Sequence, residues 1–331
     1  MEKVYFSMVK ACICGAVIAL ALIFFINYID AKPSLNNIES SQNTASVVDI
    51  PDTALLEEAD QDPSFVSRFS RVFIYSADNG KEVIESAKNS LTKTNTIRKI
   101  SAKSYVVFDI DRNAIILEKN PEKPLPIASI TKLVTAVVSK KILNQNNSVT
   151  INKKILSTYG NEAWFKENEK FNVEELLYPL LMVSSNDASE ALAGSYFKSR
   201  KEFINEMNNW VNSIGAYKTY FSDPSGLSYR NVSTAKDLSI IIKWIAENEP
   251  EIFDITLEKS KTIRTHTWIN PTHFLNLTSY AGGKNGYTAE ANRTSVALFK
   301  LGKANKLYAV ILLGSSNRDS DILDLLEEAL R

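Results

Sequence analysis

Apolar and polar positions divide the 331 residues into three regimes. Ala11 to Ile29 is an uncharged apolar run of 19 residues. Residues 31–66 hold no sustained apolar period, and residues 67–100 hold a short apolar patch, VFIYS, and a possible helix from Lys81 to Leu91. From Ser101 onward, short apolar runs and helical periods follow one another. SYVVFDI and AIILEK flank Asp111-Arg112-Asn113 and predict a β-hairpin. SITKLVTAVVSKKIL has apolar residues at helical spacing, and NVEELLYPLLM and DASEALAGSYF predict two more helices across a polar loop. KEFINEMNNWVNSI predicts a helix that stops at Gly215, and STAKDLSIIIKWIAE predicts one with a Ser-Thr cap. TSVALFKL and LYAVILLG predict two strands around a turn at Gly302 to Asn305, and Asp319 to Leu330 closes the chain as a helix. Strands open and close this region and helices fill its middle. The order predicts an α+β domain, a mainly antiparallel sheet with an inserted helical subdomain.

The apolar run sets the expected topology. At ~1.5 Å per residue it spans about 28 Å, close to the roughly 30 Å hydrocarbon core of a bilayer. Lys3 and Lys10 precede it and Asp30 follows, so the positive-inside rule keeps the N-terminus cytoplasmic and exports the rest. A cleaved signal peptide is the competing reading, but Ile29-Asp30-Ala31 is a poor cleavage site. The expectation is a single-pass anchor in the cell membrane through residues 11–29, with Cys12 and Cys14 as apolar filler. Residues 31–66 carry seven acidic residues and one basic, and are expected to be a disordered tether. Residues 67–100 reverse the balance, with seven basic and three acidic. The predicted organisation is thus a cytoplasmic tip and transmembrane helix (1–30), an acidic tether (31–66), a basic partly ordered connector (67–103) and a globular domain (104–331).

Composition narrows the chemistry. Thirty-eight basic and 38 acidic residues give no net charge, which argues against a nucleic-acid partner. Two cysteines and two histidines argue against a disulfide framework and a zinc site, and no cofactor or metal is expected. No G-x-S-x-G elbow is present, and His266 and His273 read as structural or surface residues. Lysine can replace histidine as the base beside a serine nucleophile. The S-x-x-K spacing sets both side chains one turn apart on a helix face, but it starts at five serines: Ser7, Ser90, Ser129, Ser195 and Ser233. Only Ser129 follows an extended Pro-containing segment and opens an apolar helix, whose N-terminal dipole favours negative charge on its oxygen.

The ordered set Ser129-Ile130-Thr131-Lys132, Ser184-Ser185-Asn186 and Lys284-Asn285-Gly286 resembles that of penicillin-binding proteins and serine β-lactamases. PIASITKLVTAV, LLMVSSNDASEALA, FSDPSGLSYRNVSTAKDL and GGKNGYTAEA are similar to the low-molecular-weight D-alanyl-D-alanine carboxypeptidases, over residues 104–331. The resemblance implies a β-lactamase/transpeptidase-like fold and a peptidoglycan stem peptide ending in D-Ala-D-Ala as substrate. It implies β-lactams as covalent inhibitors. Ser129 is then the nucleophile that forms an acyl-enzyme and Lys132 its general base, neutral through burial and the nearby Lys284 charge. Ser184 relays a proton to the leaving D-alanine, Asn186 orients Lys132 and the substrate amide, and Lys284 holds the terminal carboxylate. The Ser129 N–H and one from the strand just after Gly286 form the oxyanion hole. Gly286 leaves room for the substrate chain.

Three departures qualify the resemblance. Asn285 stands where the family has Thr, Ser225 where many relatives have His, and the chain stops at Arg331 where many have a further β-rich domain. Arg318 matches an arginine that relatives place near the substrate carboxylate. Alternative readings are a DD-endopeptidase acting on cross-links, a serine β-lactamase and a non-catalytic wall-binding protein. Against the β-lactamase, the region near residue 221 lacks a deacylating glutamate, and Ser185 replaces the usual Asp.

Overall fold

The computed structural model describes residues 99–160, 162–302 and 304–330. The predicted transmembrane helix, the acidic tether and most of the connector lie outside them. Five strands form one antiparallel sheet: β1 (Ser104–Asp109), β2 (Ala114–Lys119), β9 (Tyr280–Thr288), β10 (Asn292–Leu301) and β11 (Lys306–Ser315). Their order is β2-β1-β11-β10-β9, so β9 is an edge strand. The first and last segments of the domain pair through β1 and β11, with Val107 opposite Val310. The predicted hairpin is β1–β2, with a register shift at Val107/Phe108.

The inner strands β1, β10 and β11 are buried on both faces, which explains why they read as continuous apolar runs rather than alternating ones, while the edge strand β2 is mostly exposed. Val106, Phe108, Val296, Leu298, Ala309 and Ile311 point into the larger core, shared with the helices. Val107, Ala297, Phe299, Val310 and Leu312 point into a second core under the C-terminal helix, Arg318–Ala329. Ser101 and Ala102, assigned to the connector by sequence, are tied to that helix: Asp321 accepts from both backbone N–H groups at 2.9 and 3.0 Å.

Between β2 and β9 lie three short strands, β3 (Leu125–Pro126), β4 (Ser148–Thr150) and β5 (Lys170–Asn172), and then β6 (Val232–Ser233), β7 (Ser260–Ile263) and β8 (His266–Ile269). The helices of this insertion are α1 (Thr131–Ile142), α2 (Lys153–Leu156), α3 (Val173–Met182), α4 (Asn186–Ser195), α5 (Arg200–Ser213), α6 (Ala235–Asn248) and α7 (Glu251–Leu257); the C-terminal helix is α8. Every residue of α1 from Thr131 to Ser139 is buried, as expected of a helix surrounded on all sides. Asn172 and Glu175 form a reciprocal capping box at the start of α3, a device worth about 1 kcal/mol. His266 lies in β8, buried against Trp268 and bonded to Glu169 at 3.0 Å, so it is structural rather than a surface residue.

Candidate active site

Ser129 sits in a single 3₁₀ turn, Ala128–Ile130, that runs directly into α1. The turn is held against β9 and the 222–231 loop by unusually close backbone contacts. Ala128 adopts a left-handed conformation, φ 48°. Gly226, at φ +88°, lies where a Cβ would stand 2.0 Å from the Ala128 carbonyl oxygen and 3.0 Å from the Ser129 nitrogen. At Gly286 a Cβ would stand 2.8 Å from that nitrogen and 2.6 Å from Thr294 Oγ1. Two glycines from distant segments therefore clamp the nucleophile's amide. Thr294 Oγ1 donates to the Ile127 carbonyl at 3.0 Å and fixes the entry to the turn.

One helical step on, Lys132 is fully buried and its Nζ makes three contacts: Ser129 Oγ at 2.8 Å, Asn186 Oδ1 at 2.7 Å and the Ser225 carbonyl at 2.7 Å. Burial pulls its pKa well below the ordinary lysine value, and the Lys284 charge adds to the effect. Asp223, Asp187 and Glu162 act in the opposite direction. The amide oxygen and the carbonyl can only accept, so they take two N–H bonds. In the neutral amine the remaining lone pair faces Ser129 Oγ.

Ser184 precedes α4 at φ 60°. Its Oγ accepts from Lys284 Nζ at 2.9 Å. Ser185, not Ser184 or Asn186, caps α4, accepting from the Ala188 N–H at 2.8 Å. That leaves Ser184 and Asn186 turned to the two lysines. Asn186 Nδ2 also donates to the Tyr159 carbonyl at 2.9 Å. Lys284, on β9, is buried, and burial together with the Arg318 charge lowers its pKa to about 7. Asn285 alternates to the other face of β9, where its Oδ1 accepts from Ser295 Oγ on β10 at 2.8 Å. Arg318, at the first turn of α8, donates to Asp319 at 2.5 Å, and His273 Nδ1 lies 3.3 Å from the same carboxylate. That carboxyl is held at about 2, because hydrogen bonding from His273 and the Arg318 charge outweigh its burial.

The structure thus brings Ser129, Lys132, Ser184, Asn186, Lys284 and Gly286 to one place, with Arg318 close enough to act on Lys284. Sequence reasoning missed the Ser225 carbonyl, because a backbone oxygen leaves no residue-type signal. It also missed Asp223, which accepts from the N–H groups of Ser225, Gly226 and Ser228 and shapes that loop. Asn231 was a further omission: its Nδ2 donates to Thr131 Oγ1 at 3.1 Å and to the Asp223 carbonyl at 2.8 Å, joining the loop to α1. Among the described residues no cluster of three His, Cys, Asp or Glu could hold a metal ion.

Residues 89–316 match the D-alanyl-D-alanine carboxypeptidase family, peptidase family S11. The chain belongs to that family. The match takes in residues 89–103, ahead of the boundary that the sequence pattern suggested. Among its relatives, the D-alanyl-D-alanine carboxypeptidase DacA of Haemophilus influenzae is 30% identical over 64% of this chain. The match spans 57% of that relative, so the chain covers less than two thirds of its length. The D-alanyl-D-alanine endopeptidase of Escherichia coli is 31% identical over 64% of this chain and 68% of its own. The structure of penicillin-binding protein 5 from Haemophilus influenzae superposes with a TM-score of 0.64 at 26% identity, covering 72% of each chain. The family fold is therefore the penicillin-binding, transpeptidase-like one.

Proposed function

We propose that the chain is a serine-type D-Ala-D-Ala carboxypeptidase that trims peptidoglycan stem peptides. The observation that carries this reading is the position of the Lys132 amine: a buried lysine nitrogen 2.8 Å from Ser129 Oγ, with its two other contacts to pure acceptors. A neutral Lys132 takes the Ser129 proton as Oγ attacks the carbonyl between the two D-alanines. The tetrahedral oxyanion forms against the Ser129 N–H and the Tyr287 N–H just beyond Gly286. The outer edge of β9 is unpaired within the sheet, and the substrate lies along it as an added strand. Ser184 passes a proton to the departing D-alanine amine and takes up the one held by Lys132, which becomes neutral again. Lys284 and Arg318 hold the terminal carboxylate, and Asn285, bonded to Ser295 on the other face of β9, reaches it only where its Nδ2 extends past the strand edge. Water then attacks the acyl-enzyme, with Lys132 accepting its proton and returning it to Ser129.

The two lysines work in opposite charge states. Lys132 must lose its proton and Lys284 must keep its own. A bound substrate carboxylate favours the charged form of Lys284, and that charge in turn depresses Lys132. β-Lactams acylate Ser129 by the same route. The exported domain hangs from the cell membrane by residues 11–29, a proposal that rests on the apolar run and the preceding lysines. Carbonate-washed membranes and N-terminal sequencing test it: a soluble form starting near Lys32 contradicts it.

A second reading, cleavage of cross-links, is favoured by the likeness to the Escherichia coli endopeptidase. Incubation with a D-Ala-D-Ala pentapeptide and with a cross-linked dimer separates the two. Release of free D-alanine from the pentapeptide supports the carboxypeptidase. Cleavage of the dimer alone overturns it in favour of the endopeptidase.

A further inference from the structure

The loop between α2 and β5 carries a carboxylate that the reaction above does not use. Two contacts pin this loop. The Tyr159 carbonyl accepts from Asn186 Nδ2 at 2.9 Å, and the Ala163 carbonyl accepts from the buried Trp268 Nε1 at 3.1 Å. At Gly160 a Cβ would come within 2.8 Å of Asn186 Nδ2, so the backbone itself lies against the site. Glu162 falls between these pins. Its side chain is exposed, whereas Ala163 beside it is fully buried. Among the described residues Glu162 has no ion pair or hydrogen bond.

The Tyr159 and Gly160 contacts place this loop on the Asn186 side of the cleft. Glu162 acts on Lys132 and on Asp187, next to Asn186. Arg318 acts on Lys284 instead. A substrate held by its carboxylate at Lys284 and Arg318 and attacked at Ser129 must send its acyl half the other way, past Asn186. It then meets the loop that holds Glu162. Two other carboxylates act on Lys132. Asp187 is buried and bonded by Ser185 and the Ala188 N–H, and Asp223 is taken up by the N–H groups of Ser225, Gly226 and Ser228. The cleft otherwise presents the cations Lys284 and Arg318, which disfavour a cationic ligand.

We propose that Glu162 is a specificity-determining residue, an anionic subsite that selects D-Ala-D-Ala peptides with a cationic side chain in the acyl half. This rests on the carboxypeptidase reading. The interaction is exposed, so its selectivity is modest, of the order of a surface ion pair. A role in tuning Lys132 alone would change all substrates alike. A subsite changes the ratio between them.

The test uses Nα-acetyl-L-Lys-D-Ala-D-Ala with a free ε-amine and the same peptide Nε-acetylated. The readout is the ratio of kcat/KM values at low and high salt. The wild type should favour the free amine about fivefold at low salt. The preference should shrink at high salt, fall to about 1 in Glu162→Gln, survive in Glu162→Asp and reverse in Glu162→Lys. Equal turnover of the two peptides by the wild type, or a preference unchanged in Glu162→Gln, overturns the subsite while leaving the carboxypeptidase reading in place. No turnover of either peptide overturns that reading and the subsite with it.

Discussion

Gly226→Ala tests whether the nucleophile's position is set by backbone packing from the 222–231 loop. The glycine has φ +88°, a conformation that costs an L-residue about 1–2 kcal/mol. Strain of that size lowers the melting temperature of a domain this large by roughly 2–4 °C per kcal/mol. The clash is the larger effect. The new Cβ would stand 2.0 Å from the Ala128 oxygen and 2.4 Å from its carbonyl carbon. Both are backbone atoms, so no rotamer change relieves them. The loop or the Ser129 turn has to move by roughly 1 Å before contact is normal. A displacement of about 1 Å at a reacting centre can cost about 100-fold in rate. Gly215→Ala is the matched control: its φ is +92°, and nothing lies within 4 Å of the added carbon. Acylation by a fluorescent penicillin, measured beside thermal melts, separates the two effects. Both variants should melt at lower temperature, and Gly226→Ala alone should lose about 100-fold or more in acylation rate. Acylation by Gly226→Ala within threefold of the wild type would refute the reasoning.

Other outcomes follow from the same geometry. Lys132 must be neutral and Lys284 charged, so kcat/KM on a D-Ala-D-Ala acid should rise as Lys132 deprotonates and fall as pH climbs through about 7. A substrate whose terminal carboxylate is amidated should lack that alkaline fall, and an identical fall for both would contradict the role of Lys284. Lys284→Met should kill activity yet stabilise the fold. The folded lysine binds its proton less readily than the unfolded one, so stability rises with pH between about 7 and the ordinary lysine value. The gain in melting temperature for Lys284→Met should therefore be largest below pH 7 and fade above it; a loss at pH 6 would contradict the buried-cation reading. Asn285→Thr should keep or raise kcat/KM on D-Ala-D-Ala peptides, because a hydroxyl at 285 can still donate to the carboxylate and bond Ser295. A dead Asn285→Thr in an active wild type would mean residue 285 does not lie at the carboxylate end.

The legible parts of this protein are those written in residue type and period. Val106, Val107 and their neighbours in β1, β10 and β11 are apolar on both faces, and the runs announce buried strands. Ser129, Lys132, Ser184, Asn186 and Lys284 are legible because their order and flanks carry chemistry that no single motif does. What escaped reading is written in the backbone. The Ser225 carbonyl on Lys132, the approach of Gly226 to Ala128 and the left-handed Ser184 depend on chain geometry. Glu162 escaped for a different reason. It lies 30 residues after Lys132 in a stretch that carries no period, and only the Tyr159–Asn186 contact brings it to the cleft. Arg318 was legible by position, but its bond to Asp319, a carboxylate it shares with His273, needed the fold.

The central claim is that Ser129 carries the acyl group and Lys132 activates it. The most direct measurement is intact-protein and peptide mass spectrometry of the purified protein after brief exposure to a penicillin, for the wild type, Ser129→Ala and Lys132→Ala. The account predicts one adduct on the peptide containing Ser129 in the wild type, none in Ser129→Ala and severely slowed formation in Lys132→Ala. An adduct that persists in Ser129→Ala, or one that maps to another serine, would contradict it.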